Sequence, residues 1–335
     1  MAQEHIAVIG AGGWGTALAL YLARLDRPVR LWARRPELAE ELALTRENRY
    51  YLPGCLLPET VVASSDLAEV LRGARAVISA LPSHAVREVF ARIAPHVPAR
   101  TPVLSATKGI EDGTCLLVSE VIVEVLGESF RGRVAALSGP SFALEVARGD
   151  PSAAVVASPD ETLARAFQTD FAGRNLRLYT NPDLVGTQIG GAVKNVIAIA
   201  AGIVAGLGFG SNTAAALITR GLAEVTRLSV ATGGSPATLS GLAGLGDLVL
   251  TCTGALSRNR SVGIELGKGR RIEEILAATR YVAEGVITTR STRALARKLG
   301  VEMPITEQMN AVLYSAKPPM DAIRDLMERG LKAES

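Results

Sequence analysis

Lys194 and Asn195 are the only strongly polar residues in a long apolar run, GGAVKNVIA from Gly190 to Ala198. A helix that is apolar on nearly all sides is buried, so a lysine within it is desolvated, paired or placed at a cleft. Desolvation lowers the pKa of a lysine and brings its proton transfer toward neutral pH. We therefore predict that Lys194 is a catalytic acid/base. The alternative is a lysine whose stem reaches out to solvent.

Asp247 belongs to a second polar group, in the segment GLAGLGDLVLTCT that begins at Gly241. Its carboxylate follows a glycine-rich stretch and precedes an apolar helical turn, which is typical of a helix N-cap. The same carboxylate is also suited to accept a substrate hydroxyl or to pair with Lys194. Thr251 lies one helical turn later on the same face. We predict that both residues line the substrate site.

Ser257, Arg258 and Asn259 bring a hydroxyl, a guanidinium and an amide together at successive positions. This set matches a phosphate group, because a guanidinium forms bidentate hydrogen bonds with an oxyanion. Taken alone, the segment is more typical of a helix cap beside a solvated loop. Together with the buried Lys194, it predicts a clamp for a substrate phosphate.

Gly10, Gly12 and Gly15 form the pattern G-x-G-x-x-G, spelled GAGGWG, directly after the first predicted strand. The first glycine permits a tight turn, the second lets the backbone approach a pyrophosphate, and the third packs helix against strand. The following helix N-terminus offers free N–H groups to phosphates. We predict a dinucleotide site here, against the alternative of a glycine turn without a ligand.

Arg34 and Arg35 follow the second predicted strand, where an acidic residue would bind the ribose hydroxyls of NAD. Arginines suit a 2′-phosphate, so NADP(H) is favoured over NAD(H). The alternative is that one or both arginines only solvate the loop.

Lys108 follows the fourth predicted strand, and Gly139 and Ser141 follow the next. In open α/β sheets, ligands bind at the carboxyl ends of the strands. We therefore expect Lys108 to contact substrate or cofactor rather than solvent, and we expect Gly139 and Ser141 to reach the same cleft.

These groups together predict a hydride-transfer enzyme. Reduction of a carbonyl needs hydride from C4 of a nicotinamide and a donor that polarises and protonates the carbonyl oxygen, which a cationic Lys194 supplies. In the reverse direction the neutral amine accepts a hydroxyl proton. Gly190 and Gly191 lack side chains one turn before Lys194, where we expect the cofactor ring or substrate to approach.

Alternating strands and helices are predicted to position these groups in the first half of the chain. The predicted strands are 5–10, 28–32, 76–80, 102–105, 133–137 and 153–157, with helices at 16–25 and 36–47. This alternation predicts a parallel, doubly wound Rossmann sheet. From about residue 185 the pattern becomes helical, at 185–207, 214–232, 272–278, 289–299, 305–313 and 320–329. We predict an α/β dinucleotide domain over 1–185 and an all-α substrate domain over 186–335.

The composition excludes several other classes of protein. The 335 residues are 48% hydrophobic and 21% charged with a net charge of +3, which is too small and scattered to indicate nucleic-acid binding. Three distant cysteines form neither a disulfide framework nor a zinc motif. No signal peptide is expected, and the glycine-containing stretch 196–209 is too short to span a bilayer. We expect a cytoplasmic protein that uses no metal and does not bind a membrane.

The sequence resembles the bacterial NAD(P)-dependent glycerol-3-phosphate dehydrogenases along nearly its whole length. The motifs that carry the resemblance are, in chain order, GAGGWGTALA, SATKGIE, SGPSFA, GGAVKNVIAIAAG, AGLGDLVLTCT with SRNR, and VEMPITE. This family often has Ser or Thr before the aromatic of the first motif, where this chain has Gly13 before Trp14.

The resemblance implies interconversion of dihydroxyacetone phosphate and sn-glycerol 3-phosphate for glycerophospholipid synthesis, product inhibition and a homodimer. It implies Lys194 as the proton acceptor, with Lys108, Gly139, Ser141, Asp247, Ser257, Arg258 and Asn259 around the substrate. By the same resemblance, the cofactor contacts are Gly13, Trp14, Arg34, Lys108, Ala143, Arg258, Val282 and Glu284.

Two other functions compete with this interpretation. A β-hydroxyacid or 6-phosphogluconate type dehydrogenase shares the Rossmann domain, the helices and a lysine, but it needs a carboxylate-binding set in place of Ser257, Arg258 and Asn259. A nicotinamide-binding sensor without turnover would keep the glycine turn and Arg34, but it would have no reason to bury Lys194 near Asp247.

Overall fold

A single mixed sheet forms the framework of the first half of the chain. The computed structural model describes residues 4–278, 283–331 and 333, and the strands within them lie in the order β3-β2-β1-β4-β5-β6-β7-β8. The strands are β1 (His5–Ile9), β2 (Val29–Trp32), β3 (Val61–Ser64), β4 (Ala74–Ser79), β5 (Val103–Ser105), β6 (Val134–Ser138), β7 (Ser152–Ala157) and β8 (Leu176–Asn181). The order reverses between β1 and β4, which is where a doubly wound sheet binds its ligand.

Short helices connect these strands and cover both faces of the sheet. They are α1 (Gly13–Ala23), α2 (Pro36–Thr45), α3 (Leu67–Leu71), α4 (Val86–Ile93), α5 (Val118–Leu126), α6 (Ala143–Arg148) and α7 (Glu161–Asp170). The α/β pattern predicted for this half is confirmed.

The described residues of the second half are helical, as predicted. The helices are α8 (Leu184–Gly206), α9 (Ser211–Ala231), α10 (Pro236–Leu239), α11 (Asp247–Thr253), α12 (Arg258–Gly267), α13 (Ile272–Ala278), α14 (Glu284–Lys298), α15 (Pro304–Tyr314) and α16 (Pro319–Met327). A single π-helical turn, Leu242–Gly246, runs directly into α11.

Helix α8 is the central element of this half. It is long and apolar enough to cross a bilayer, yet 89% of its most apolar stretch is buried inside the protein. Glycines let α12 pack against it at very short range: a Cβ on Gly202 would lie 2.1 Å from the carbonyl oxygen of Arg260, and one on Gly263 would lie 2.0 Å from that of Ile199. This close packing fixes the position of α12, which begins at Arg258, relative to Lys194 in α8.

The prediction of a parallel sheet is wrong at β7, the last of the predicted strands. Strands β7 and β8 are parallel to each other, but β7 runs antiparallel to β6. The helix between β6 and β7, α6, packs on α1, where Arg24 donates to the carbonyl of Ala147. It ends at Arg148, and the left-handed backbone of the next residue, Gly149 (φ 87°), turns the chain back toward the sheet. The contact between α6 and α1 joins residues far apart in the sequence, so the local pattern does not contain it.

Two strands went unpredicted, and both are edges of the sheet. Strand β3 is short, with Val62 48% exposed, and β8 alternates buried Leu176 and Leu178 with exposed Arg177 and Tyr179. Edge strands bury only one face, so they lack the continuous apolar signal of the central strands. Most predicted helices begin and end within three residues of the observed bounds, whereas α14 starts five residues before the predicted position, at Glu284.

Candidate active site

Lys108, Lys194 and Asp247 form a buried ionic cluster where the two halves of the chain meet. Lys194 Nζ donates to one Asp247 oxygen and, at 2.8 Å, to Thr251 Oγ1. Lys108 Nζ donates to the other Asp247 oxygen at 2.7 Å and to the carbonyl of Gly139 at 3.1 Å. The side chains of Lys194 and Asp247 are 8% and 1% exposed. The interpretation of Lys194 as a solvent-reaching lysine is therefore wrong. Of the roles that the sequence left open for Asp247, the structure shows the pairing with Lys194.

The electrostatics of the cluster favour proton transfer near neutral pH. Burial lowers the pKa of Lys194 to about 7, and the charge of Lys108 acts in the same direction, while Asp247 opposes both. Burial alone would raise the pKa of Asp247, but the two ammonium groups outweigh it and hold that pKa below its usual value. With both lysines protonated, two cations face one carboxylate, which suits an anionic ligand.

Three separate elements deliver these side chains. Lys108 follows β5, Lys194 lies in the middle of α8, and Asp247 is the first residue of α11. The prediction that Asp247 is an N-cap is wrong, because the π-helical turn continues into α11 without a break and Gly246 precedes it in helical conformation. Thr251 lies one turn further on and donates to the Asp247 carbonyl at 2.6 Å, on the predicted face.

Gly190 and Gly191 make room for protein rather than for a ligand. A Cβ on Gly190 would lie 2.5 Å from the carbonyl oxygen of Ala243, in the π-helical turn. One on Gly191 would lie 2.6 Å from Ser138 Oγ. The expectation that a cofactor ring or substrate approaches these glycines is therefore wrong. They instead let α8 contact the segments that carry Asp247 and Gly139.

The residues of the predicted phosphate clamp lie at the start of α12, with different degrees of exposure. Ser257 is buried and its hydroxyl caps α12 by accepting from the N–H of Arg260 at 3.2 Å. Arg258 is exposed. Asn259 is buried, and its amide donates to Asn195 Oδ1 at 2.8 Å and accepts from the N–H of Gly285 at 2.9 Å. The segment is thus a helix cap as well as an array of anion-binding groups.

The backbone of the loop after β6 packs beside Lys108. Gly139 has φ +126°, and a Cβ there would lie 2.9 Å from Ala154 Cα, so only glycine fits. Ser141 donates to the Gly139 carbonyl at 3.0 Å and is partly exposed. Both residues therefore lie beside Lys108, which donates to the Gly139 carbonyl.

The glycine turn has the geometry that a pyrophosphate needs. Gly10 has φ +116°, and a Cβ on Gly15 would lie 1.8 Å from the Gly10 carbonyl oxygen. A Cβ on Gly12 would meet nothing within 4 Å, so the space above this N-cap of α1 is open. No described side chain caps α1, which leaves its first N–H groups to bind an anion. This turn therefore fits a dinucleotide cofactor.

Gly13 and Trp14 pack beneath the loop that covers the turn. A Cβ on Gly13 would lie 2.9 Å from the Tyr51 carbonyl oxygen and 3.9 Å from Ala143 Cβ. Trp14 is partly buried against the core, and its indole N–H is buried without a hydrogen-bond partner among the described residues. The close approach of the Tyr51 carbonyl therefore leaves little room for a side chain at position 13.

Arg34 and Arg35 are exposed at the carboxyl end of β2, as a contact with a ribose phosphate requires. The guanidinium of Arg35 lies over the ring of Tyr50, 5.4 Å from its centroid. Arg34 makes no hydrogen bond with the part of the chain that the structure describes, so its guanidinium is available to a ligand.

Glu284 is joined to Ser83, a residue that sequence reasoning missed. One Glu284 oxygen accepts from Ser83 Oγ at 2.6 Å, and the other accepts from the Ser83 N–H at 3.2 Å. Ser83 follows β4 in the segment LPSH, and its position at a strand's carboxyl end was the available signal. Val282, implied as a cofactor contact, lies outside the described residues.

The described residues 4–278, 283–331 and 333 contain no group of three His, Cys, Asp or Glu side chains that would hold a metal ion. The charged cluster is built from lysines and one aspartate instead.

Two family profiles match nearly the whole chain. The N-terminal profile of NAD-dependent glycerol-3-phosphate dehydrogenase matches residues 5–164, and the C-terminal profile of the same family matches residues 183–324. A relative from Koribacter versatilis, named glycerol-3-phosphate dehydrogenase, NAD(P)+, is 56% identical over 98% of both chains. One of the same name from Geobacter sp. strain M21 is 56% identical over 99% of both.

The fold is also that of a solved structure. The crystal structure of glycerol-3-phosphate dehydrogenase from Coxiella burnetii matches with a TM-score of 0.93 and 43% identity, over 97% of this chain and 99% of that one. Neither the hydroxyacid alternative nor a non-catalytic sensor is supported by these names.

Proposed function

Because the chain belongs to the NAD-dependent glycerol-3-phosphate dehydrogenase family, we propose that it reduces dihydroxyacetone phosphate to sn-glycerol 3-phosphate, reversibly, with Lys194 as the general acid. It is an NAD(P)-dependent oxidoreductase. The observation that carries the proposed mechanism is the buried Lys194, held by Asp247 and Thr251 beside a second lysine.

The hydrogen-bond count at Lys194 supports its role as proton donor. An ammonium group has three N–H donors, and Asp247 and Thr251 accept two of them. The third is left for the carbonyl oxygen of the substrate. A bound nicotinamide would supply hydride to the carbonyl carbon. Lys194 would stabilise the negative charge that develops on the carbonyl oxygen and then protonate that oxygen. In the oxidative direction its neutral amine takes the hydroxyl proton.

We assign the phosphate and the carbon chain of the substrate to different sides of the cluster. Ser257, Arg258 and Asn259 hold the phosphate, while Lys108 uses its remaining N–H toward the substrate beside Gly139 and Ser141. Asn195 orients Asn259 through its amide. Asp247 and Thr251 keep Lys194 in place during proton transfer.

The cofactor occupies the glycine turn in this proposal, with NADP(H) favoured over NAD(H). The proposed contacts are Gly10, Gly12, Gly13, Trp14, Gly15, Arg34, Arg35, Lys108, Ala143, Arg258, Val282 and Glu284. The exposed, unengaged guanidinium of Arg34 is the group we assign to the 2′-phosphate.

The remaining proposals concern the cellular context and the division of the chain. We place the enzyme in the cytoplasm as a homodimer that makes the sn-glycerol 3-phosphate backbone of glycerophospholipids. We divide the chain into a dinucleotide domain over 1–185 and a substrate domain over 186–335. This division falls two residues after the start of α8 at Leu184.

The reaction is tested by following cofactor absorbance with dihydroxyacetone phosphate and, separately, unphosphorylated dihydroxyacetone. We expect NADPH to be oxidised efficiently only with the phosphorylated ketone, NADH to react more slowly, and the product to be sn-glycerol 3-phosphate. Equal rates with both ketones would contradict the phosphate clamp. No turnover with either cofactor would contradict the proposed reaction.

A further inference from the structure

The first two residues of α14 are bound to two different parts of the protein. The Glu284 carboxylate accepts two hydrogen bonds from Ser83, at 2.6 and 3.2 Å, in the loop after β4. The next residue, Gly285, donates its N–H to Asn259 Oδ1 at 2.9 Å, in the phosphate clamp. The start of α14 therefore links the cofactor-binding half of the chain to the substrate clamp.

The contact on the Ser83 side is enclosed and specific. Ser83 is 4% exposed. A Cβ on Gly109 would lie 2.4 Å from Ser83 Cβ, so the missing side chain of Gly109 lets Ser83 reach Glu284. Burial raises the pKa of Glu284, while the hydrogen bonds from Ser83 act in the opposite direction, as do the nearby charges of His84 and Arg258. Removing the Ser83 hydroxyl would leave a buried carboxylate oxygen without its strongest partner.

The contact on the clamp side is equally constrained. A Cβ on Gly285 would lie 2.6 Å from the Asn195 carbonyl oxygen and 2.9 Å from Asn259 Oδ1. Asn259 in turn donates to Asn195 Oδ1 at 2.8 Å, one residue after Lys194 in α8. A displacement of the Gly285 N–H would therefore release the amide of Asn259 from the orientation in which it faces a phosphate.

We propose that Ser83 is a positioning residue that couples cofactor binding to substrate binding through Glu284, Gly285 and Asn259. The proposal rests on the function proposed above. Ser83 lies at the carboxyl edge of the sheet, beside the point where the strand order reverses. A bound dinucleotide orders that edge, and through Ser83 it holds α14 and the clamp in the binding orientation. Preorganised groups lose less entropy when they bind, so the substrate phosphate binds more tightly.

The coupling is measured with a ligand pair that does not react. Calorimetry on the full chain gives the Kd of sn-glycerol 3-phosphate with and without saturating NADPH, and the ratio is the coupling factor. By thermodynamic linkage, the same factor describes how glycerol phosphate tightens NADPH binding. We expect NADPH to tighten glycerol phosphate binding in the wild type, and Ser83→Ala to reduce that factor by about tenfold.

A matched control is Ser105→Ala, the same substitution at the end of the neighbouring strand β5. Ser105 is also buried, but its hydroxyl has no partner among the described residues, so this variant is expected to keep the wild-type coupling factor. In the double variant Ser83→Ala/Glu284→Gln, the coupling factor should fall no further than in the single variants, because Ser83 acts through Glu284. If Ser83→Ala does not fold, Ser83→Cys keeps the volume with a weaker donor and should lower the factor less.

A coupling factor that is unchanged in the Ser83 variant, or equal to one in the wild type, would overturn the proposal. So would a loss of affinity for each ligand alone that leaves the ratio intact, since that is a purely structural effect. Failure of the wild type to turn over dihydroxyacetone phosphate would instead be a failure of the proposed function, and the turnover assay separates the two.

Discussion

The cofactor region and the substrate region of this protein are built by different means. The glycine turn is made of backbone within six consecutive residues. Its fit to a dinucleotide depends on the absence of side chains at Gly10, Gly12 and Gly15. The lysine cluster is made of side chains that come from the loop after β5, from α8 and from α11. An added methyl group should therefore damage the first region, whereas loss of a single charge should damage the second.

The largest effect is expected for Asp247→Asn in the lysine cluster. This substitution removes the carboxylate between two ammonium groups, and breaking a buried ion pair typically costs about 3–5 kcal/mol. We expect a large drop in the melting temperature together with loss of turnover. The matched control is Asp66→Asn, an exposed N-cap where asparagine serves as well. Equal melting temperatures for the two variants would contradict the ionic cluster.

Two glycine variants sharpen the description of the cofactor region. Gly15→Ala forces a Cβ to within 1.8 Å of the Gly10 carbonyl oxygen, so the backbone must move and stability should fall by about 1–3 kcal/mol. Gly12→Ala points its methyl group into open space, so it should weaken NADPH binding without lowering the melting temperature. Denaturant unfolding and NADPH titration measure both. A stability loss in Gly12→Ala equal to that in Gly15→Ala would show that the space is not kept for a ligand.

The difference between a site built from consecutive residues and one built from distant side chains explains how much of each the sequence predicts. The glycine turn is local, so its spacing predicted its geometry. The polar break in an apolar helix predicted the burial of Lys194, and pairing with Lys194 was one of the roles that the sequence left open for Asp247. Helical periodicity placed Thr251 on the face of Asp247, but the bond from Lys194 to Thr251 was not predicted. The bond between Lys108 and Asp247 and the contact between Ser83 and Glu284 join residues 139 and 201 positions apart. No local pattern encodes such contacts, and the same holds for the direction of β7.

The pH dependence of the two reaction directions tests the electrostatics of the substrate region. Because the pKa of Lys194 is lowered to about 7, its acid form is lost as the pH rises through that value. The kcat/KM for reduction should then fall about tenfold per pH unit above it, while that for oxidation rises and levels off. Steady-state rates from pH 5.5 to 9.5 would measure both profiles. Parallel profiles in the two directions would exclude Lys194 as the titrating group.

The smallest effect is expected at the rim of the cofactor region. Arg34→Ala removes the guanidinium assigned to the 2′-phosphate, so the KM for NADPH should rise about tenfold with that for NADH unchanged. Arg49→Ala, at an exposed arginine that pairs with Glu47, is the control and should change neither KM. Equal changes in the KM for NADPH and for NADH in Arg34→Ala would show that this residue does not bind the 2′-phosphate.

The most direct test of the account separates binding from chemistry in Lys194→Ala. We expect NADPH to bind as in the wild type, because the glycine turn is untouched, while turnover of dihydroxyacetone phosphate falls by at least ~10²-fold. Lys268→Ala, at an exposed lysine of α12's C-terminal end, is the matched control and should keep full activity. Turnover that survives in Lys194→Ala would contradict the central claim and move the proton donor to Lys108.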